Sequence, residues 1–358
     1  MGKRLLRLAP PIGASLVALA FSGQALAAFS AKVFASSTGG GLTTITYSEG
    51  ATDASPAKVQ FFVPTGYSAN LAGAPSGTVV GTVAAQAAAA DLGGAVLPLA
   101  GDITVAAGTD TTSVAGNQVP LSAQAMVCDG TPTPSAFLLL VLTAAGQTLR
   151  VPAYVDAIPA ADPRSAFAAF SITFCLPAAD LPASNPARAS FGAKLIKATL
   201  SLKGAFVAPG VGETRWRMLA TPYGAGTGKF DAAGTVEAQS LARTPQTLSF
   251  KAKGNKGKKT ASVSGSVSEG GKGVAGATVT ILAGGKAVGR AITSGTGAYK
   301  ATVRLKAAAA TLQARVTVAA RDLGASACVA TFSALGVPCV DATVAGFTLV
   351  SAKVRVKA

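Results

Sequence analysis

Tyr299-Lys300-Ala301-Thr302-Val303-Arg304-Leu305-Lys306 alternates apolar and polar residues without a break. A side-chain period of two describes a β-strand with one face on a core and the other in water. The same period recurs at Leu312, Ala314, Val316 and Val318 against Gln313, Arg315 and Thr317, and at Ala352, Val354 and Val356 against Lys353, Arg355 and Lys357. These strands predict a sandwich whose water-facing side is cationic. Lys300, Arg304, Lys306, Arg315, Lys353, Arg355 and Lys357 are read as one basic face.

Upstream, short apolar runs recur between Gly, Pro, Ser and Asp clusters: Val59 to Val63, Thr78 to Val83, Phe137 to Leu142, Leu149 to Val155, Phe170 to Cys175, Lys194 to Leu202, Thr214 to Leu219 and Thr247 to Phe250. Runs of this length with turn signals between them indicate strands rather than βαβ units. The alanine-rich tract from Val83 to Leu92 is the exception, read as a helical turn or two. The expected class is all-β, with two β-sandwich-type domains.

Charge divides the chain. The formal net charge is +16. Residues 28 to 250 hold 12 basic and 12 acidic residues, whereas 251 to 358 hold 16 basic residues and three acids, Glu269, Asp322 and Asp341. Between them, 251 to 260 carries five lysines, two glycines and no large apolar side chain. That composition reads as a solvated linker. Ahead of both parts, Lys3, Arg4 and Arg7 precede an apolar stretch from Ile12 to Phe21 and the small-residue pattern Ala25-Leu26-Ala27. Residues 1 to 27 are therefore expected to be a cleaved export signal. The expected organisation is a signal peptide at 1–27, a β-rich domain at 28–250, a linker at 251–260 and a second sandwich at 261–358. Such a chain is secreted, with no transmembrane segment after cleavage.

An oxidising compartment makes the four cysteines a disulfide framework. Three pairings are formally possible. Cys128 with Cys175, and Cys328 with Cys339, are expected because each bridge then stays within one domain.

From Val263 to Lys306 the chain resembles the carboxypeptidase regulatory-like domain, a transthyretin-like sandwich grouped with carbohydrate-binding-like folds. The resemblance is carried by Val263-Ser264-Gly265-Ser266-Val267, by Gly273-Val274-Ala275-Gly276-Ala277-Thr278-Val279-Thr280-Ile281, and by Ala291-Ile292-Thr293-Ser294-Gly295-Thr296-Gly297-Ala298-Tyr299. It implies turns at the glycines, with Gly297 preceding a packed aromatic at Tyr299, and a module that acts as a non-catalytic partner. Ser294 stands where an Asp is frequent, and Leu323 to Asp341 is an elaboration. Residues 28 to 250 resemble only uncharacterised exported β-domains.

Histidine is absent, which removes His-based triads, His metal sites and His pH switches. Gly224-Ala225-Gly226-Thr227-Gly228-Lys229 is not a phosphate loop, because Phe230 stands where Ser or Thr must hold the metal. No cofactor or metal motif is present, and no stacking array accompanies the lysines to indicate nucleic acid. Glu49, Asp129, Glu213 and Asp231 are the acids available for paired-carboxylate hydrolysis; solvated loop acids are the simpler reading. Trp216, flanked by Arg215 and Arg217, is either a core anchor with its arginines outward or an exposed ligand platform. The functional expectation is an exported, non-enzymatic binding or structural protein, with an extracellular glycan or anionic envelope polymer as its partner. The alternatives are a purely structural or adhesive β protein and, more remotely, a glycan-acting hydrolase.

Overall fold

The computed structural model describes residues 29–38, 41–144 and 146–357; the expected signal peptide lies outside them. The fold is all-β. Thirteen strands form one sheet in the spatial order Lys32–Ser37, Leu42–Ser48, Ala193–Lys203, Val79–Ala89, Ala95–Ala106, Ala136–Ala144, Gln147–Ala157, Ala168–Cys175, Pro56–Pro64, Gly212–Pro222, Val236–Thr244, Cys339–Val344 and Arg321–Asp322. All neighbours are antiparallel except Val236–Thr244 with Cys339–Val344, which run parallel. The alanine tract belongs to this sheet. Up to Ala89 it is the strand Val79–Ala89, because Val83, Ala85, Ala87 and Ala89 alternate inward with period two and find hydrogen-bonded strands on both sides; only Ala90–Leu92 makes the expected helical turn, a single 3-10 turn.

The sheet curls until its first strand meets the far edge. Ala35 N donates to Ser240 Oγ at 2.9 Å, and Thr343 Oγ1 donates to the Val33 carbonyl. Side chains thus bridge the two edges, and among the described residues no backbone ladder closes them into a barrel. Inward residues from every long strand form one apolar core, including Val33, Ile45, Phe61, Ile103, Leu138, Ile172, Leu202, Trp216 and Met218.

The second unit is a two-sheet sandwich. One sheet holds Gln246–Asn255, Thr260–Glu269, Lys272–Gly273 and Ala298–Arg304; the other holds Lys286–Ile292, Thr278–Ala283, Ala309–Val318, Phe347–Val350 and Val354–Lys357. Its core contains Val263, Val267, Val279, Ile281, Tyr299, Val303, Leu312, Val316 and Phe347. Tyr299 packs inside, and its hydroxyl donates to the Ser249 carbonyl at 2.7 Å. Gly297 has φ +78°, and a Cβ there would lie 2.2 Å from the Val267 carbonyl oxygen, so only glycine fits this turn.

Two sequence expectations change. Residues 251–260 are not a linker: Lys251 to Asn255 pair with Thr260 to Ser264 in a regular hairpin. Lysines are compatible with a strand when every second residue faces water, and the intervening Ala252 packs on the sandwich core. The second unit is also not contiguous. After Val318 the chain leaves the sandwich, adds Arg321–Asp322 and Cys339–Val344 to the first unit's sheet, and returns at Phe347. Lys32 ion-pairs with Asp322 and, at 3.0 Å, with the buried Asp341, so two of the three C-terminal acids serve the first unit.

Both disulfides form as expected. Cys128–Cys175 pins the only α-helix among the described residues, Leu121–Cys128, to the outer face of the curled sheet. Cys328–Cys339 ties the excursion's loop to the first residue of its strand Cys339–Val344. No helix among the described residues is long and apolar enough to cross a membrane.

Closing a loop of this size removes about 3 kcal/mol of unfolded-chain entropy. Replacing Cys328 and Cys339 together by Ser is expected to lower the first unit's stability by about that amount. Guanidinium denaturation read by Trp216 fluorescence measures it, since the sole tryptophan reports on that unit; an unchanged midpoint would contradict the assignment of Cys339–Val344 to its sheet.

Candidate functional site

Large side chains fill one end of the curled sheet. Trp216 is fully buried and meets Tyr67 edge to face at 5.3 Å between ring centroids, and Phe170 packs on Phe206 at 6.1 Å. At the other end, the inward positions of Val79–Ala89 are alanines. Ala85 lies between Leu99 and Ala198, and Ala87 between Leu97 and Leu195. Methyl groups there cannot reach the opposite wall, where Val59, Phe61 and Phe174 stand, and the interior is left with a cavity of about 520 Å³. Protein cores normally pack without voids much larger than a water molecule. A space this large falls instead within the range of ligand pockets.

Its walls are Val83, Ala85, Ala87, Leu97, Leu99, Leu140, Leu142, Val151, Phe174 and Leu200. Gln147, Thr148, Leu149, Ser190 and Phe191 form an exposed rim. Phe191 has φ +57° and is 51% exposed. An aromatic residue in the left-handed region is strained and persists only where neighbours hold it. Here the hold is Arg188, whose guanidinium donates to both carboxylate oxygens of Asp91 at 2.6 and 2.7 Å. This clamps the loop that carries Phe191 onto the end of the Val79–Ala89 and Ala95–Ala106 hairpin.

One polar cluster adjoins the apolar walls. Tyr47 lines the cavity, and its hydroxyl donates to Glu49 Oε2. The Glu49 side chain is fully buried. Lys194 Nζ lies 3.6 Å from Glu49 Oε1 and donates to the carbonyls of Gly50 and Asp53 at 3.0 and 2.7 Å. Loss of hydration pushes the Glu49 carboxyl up to about 8, despite the opposing pull of the Tyr47 hydroxyl and the Lys194 charge. Glu49 is therefore protonated at neutral pH, and the cavity has an uncharged acid beside it.

The residues singled out in the sequence lie elsewhere. Trp216 is an anchor of the core, not a platform. Arg215 and Arg217 point to the sheet's outer face and are covered by the returning C-terminal segment. Arg215 donates to Gln239 Oε1 at 3.0 Å and to the Ala327 carbonyl at 3.4 Å. Arg217 Nε donates to Thr331 Oγ1 at 2.8 Å, and its guanidinium lies 4.4 Å from the Phe167 ring centroid. Their role is to hold the excursion down.

The single basic face is divided in two. Lys300 and Arg304 lie on the outer face of one sandwich sheet, with Lys306 just beyond the strand end; Arg315, Arg355 and Lys357 lie on the other sheet, with Lys353 just before its last strand. Identical alternation in sequence puts the apolar sides of both sheets together, so their polar sides point in opposite directions. The four candidate acids do not converge. Glu213 pairs with Arg243 at 3.1 Å, Asp231 occupies a loop, and Asp129 lies under the helix on the outer face, accepting from Thr173 Oγ1 at 2.9 Å. There Asp129 meets Asp156, whose carboxyl is raised first by burial and then by that neighbour, on the side of the sheet away from the cavity.

Comparison with known protein families, with curated proteins and with solved structures finds no match to this chain.

The carboxyl of Glu49 titrates higher in the folded chain than in the unfolded one, so the folded state holds the extra proton between about 4.5 and 8. Stability is expected to fall as pH rises through that window. In Glu49→Gln that part of the slope should vanish, as measured by denaturation midpoints from about pH 4 to 9, a range that brackets both titrations; an unaltered slope would contradict a raised Glu49.

Proposed function

We propose that the chain is an exported, non-catalytic binding protein that holds an apolar ligand in the curled sheet of its first unit. The observation that carries this reading is the alanine-walled cavity. Water in such a space would find few hydrogen-bond partners, so an apolar molecule gains the full hydrophobic transfer by replacing it. Lipid-like or other hydrocarbon-rich molecules fit these walls; neutral sugars do not, since the apolar walls would leave their hydroxyls without hydrogen-bond partners. Burial of Trp216 removes the platform that the glycan reading relied on.

Export rests on the N-terminal signal pattern and on the two disulfides, which persist in oxidising compartments. The resemblance of residues 263–306 to carboxypeptidase regulatory-like modules supports a non-catalytic partner domain. A purely structural role would leave the cavity without a purpose, and its strained, clamped Phe191 rim favours binding.

N-phenyl-1-naphthylamine, an uncharged fluorophore that brightens in apolar surroundings, tests the reading. The mature chain is expected to bind it saturably, with long-chain fatty alcohol competing. Ala87→Phe fills the space and should weaken binding at least tenfold, at an overpacking cost of about 1–3 kcal/mol. Ala345→Phe, in the excursion, serves as a control of similar chemistry outside the cavity. No saturable binding, or equal binding by Ala87→Phe and wild type, would contradict the proposal.

A further inference from the structure

The outer face of the sandwich sheet that carries Lys300 has a shape as well as a charge. The central strand Thr260–Glu269 presents small hydroxylated residues, with Ser262 and Ser264 at its middle, while the flanking strands present long cations. In register, Lys251 and Lys300 stand on either side of Ser264, and Lys253 stands beside Ser262, with Arg304 farther along the opposite wall. Two strand spacings put the walls roughly 10 Å apart. Long side chains over a floor of serines make a shallow trough of about 480 Å³.

No acid balances it. The outward positions of these three strands, 247 to 255, 260 to 268 and 298 to 304, contain no Asp or Glu. Glu269, the sandwich's one acid, falls on the opposite parity, opposite Gln246 at the strand end. Neither the three lysines that line the trough, Lys251, Lys253 and Lys300, nor Arg304 beyond Thr302 on the Lys300 wall has an ion-pair partner among the described residues. The lysines of the turn at 256, 258 and 259 extend the same field past one end of the trough.

We propose that this trough is a binding site for a linear, polyhydroxylated polyanion, a polysaccharide bearing carboxylate or sulfate groups. Cationic walls match repeating oxyanions, and the serine floor offers hydroxyls to the sugar hydroxyls between them. The recessed floor selects a narrow chain. A flat bilayer would touch only the walls and would find no large apolar side chain on this face to insert. The trough lies on the second unit, so the site is independent of the cavity.

The test measures affinity of the full mature chain for heparin and for polygalacturonate over a salt series. Polyglutamate and phosphatidylglycerol vesicles serve as the hydroxyl-free polymer and the membrane arms. Lys251→Ala/Lys300→Ala is compared with Arg315→Ala/Arg355→Ala, which removes the same charge from the opposite sheet. The expected result is salt-sensitive binding of one or both polysaccharides, weakened at least tenfold by the trough pair, less than threefold by the opposite pair, and retained in Lys251→Arg/Lys300→Arg. The thermal midpoints of all variants should match, because these side chains are exposed. Equal losses in both double variants would reduce the effect to net charge and overturn the site. Polyglutamate or vesicles binding as tightly as the polysaccharides would overturn the ligand class, and so would no binding at low salt.

Discussion

A curled sheet has to fill its own interior with the side chains its strands happen to point inward. In this protein that constraint is met at one end and left unmet at the other. Trp216, Tyr67, Phe206 and Phe170 supply enough volume to close the first end. Ala85 and Ala87 do not supply it at the second, although the neighbouring strands hold leucines around them. Cavities of this kind are costly, because their walls lose both burial and dispersion contacts. Three features meet around that shortfall: a space walled by apolar groups, a rim held by Arg188 and Asp91, and a buried Glu49 that stays neutral beside it.

The remaining architecture keeps the curled sheet in register around the space. Its two edges are joined by side chains rather than by a ladder: by Ser240 of Val236–Thr244 and by Thr343 of the strand Cys339–Val344, which the C-terminal segment contributes from beyond the sandwich. That strand is secured by the Cys328–Cys339 bridge, by Lys32 against Asp322 and Asp341, and by Arg215 and Arg217 gripping the loop at 327–331. The two units are therefore interleaved. The sandwich is completed only after the chain has returned from the first unit, and its hairpin at 246–269 grows directly out of the strand Val236–Thr244.

Local patterns were readable and long-range ones were not. Alternation at 299–306 and 312–318 located real strands with the apolar side inward, and local pairing of the cysteines was right. The same alternation could not say which sheet each strand joins, so one basic face became two. Composition at 251–260 masked a strand, since lysines on a water-facing side cost a β-ladder little. The excursion at 319–346 showed in the sequence only as an elaboration at Leu323 to Asp341 with a local cysteine pair, and nothing in it said that its strands join the first unit's sheet. Most instructive is Val83 to Leu92. Alanine is a helix former by propensity, yet as far as Ala89 ladder partners on both sides override that preference, leaving one 3-10 turn at Ala90–Leu92, and the strand alanines then became the walls of the cavity. An alanine run framed by strand-like apolar segments was the one sequence mark of the site.

Whether the space in the curled sheet takes up an apolar molecule is measured most directly by methyl NMR on the mature chain labelled at Leu and Val, titrated with an uncharged hydrocarbon probe. Shifts are expected at Val83, Leu140, Leu142, Val151 and Leu200, which line the space, with Leu312 and Val316 of the sandwich core unmoved. Shifts confined to exposed methyls such as Val127 and Leu335, or none at saturating probe, would contradict a ligand-binding interior.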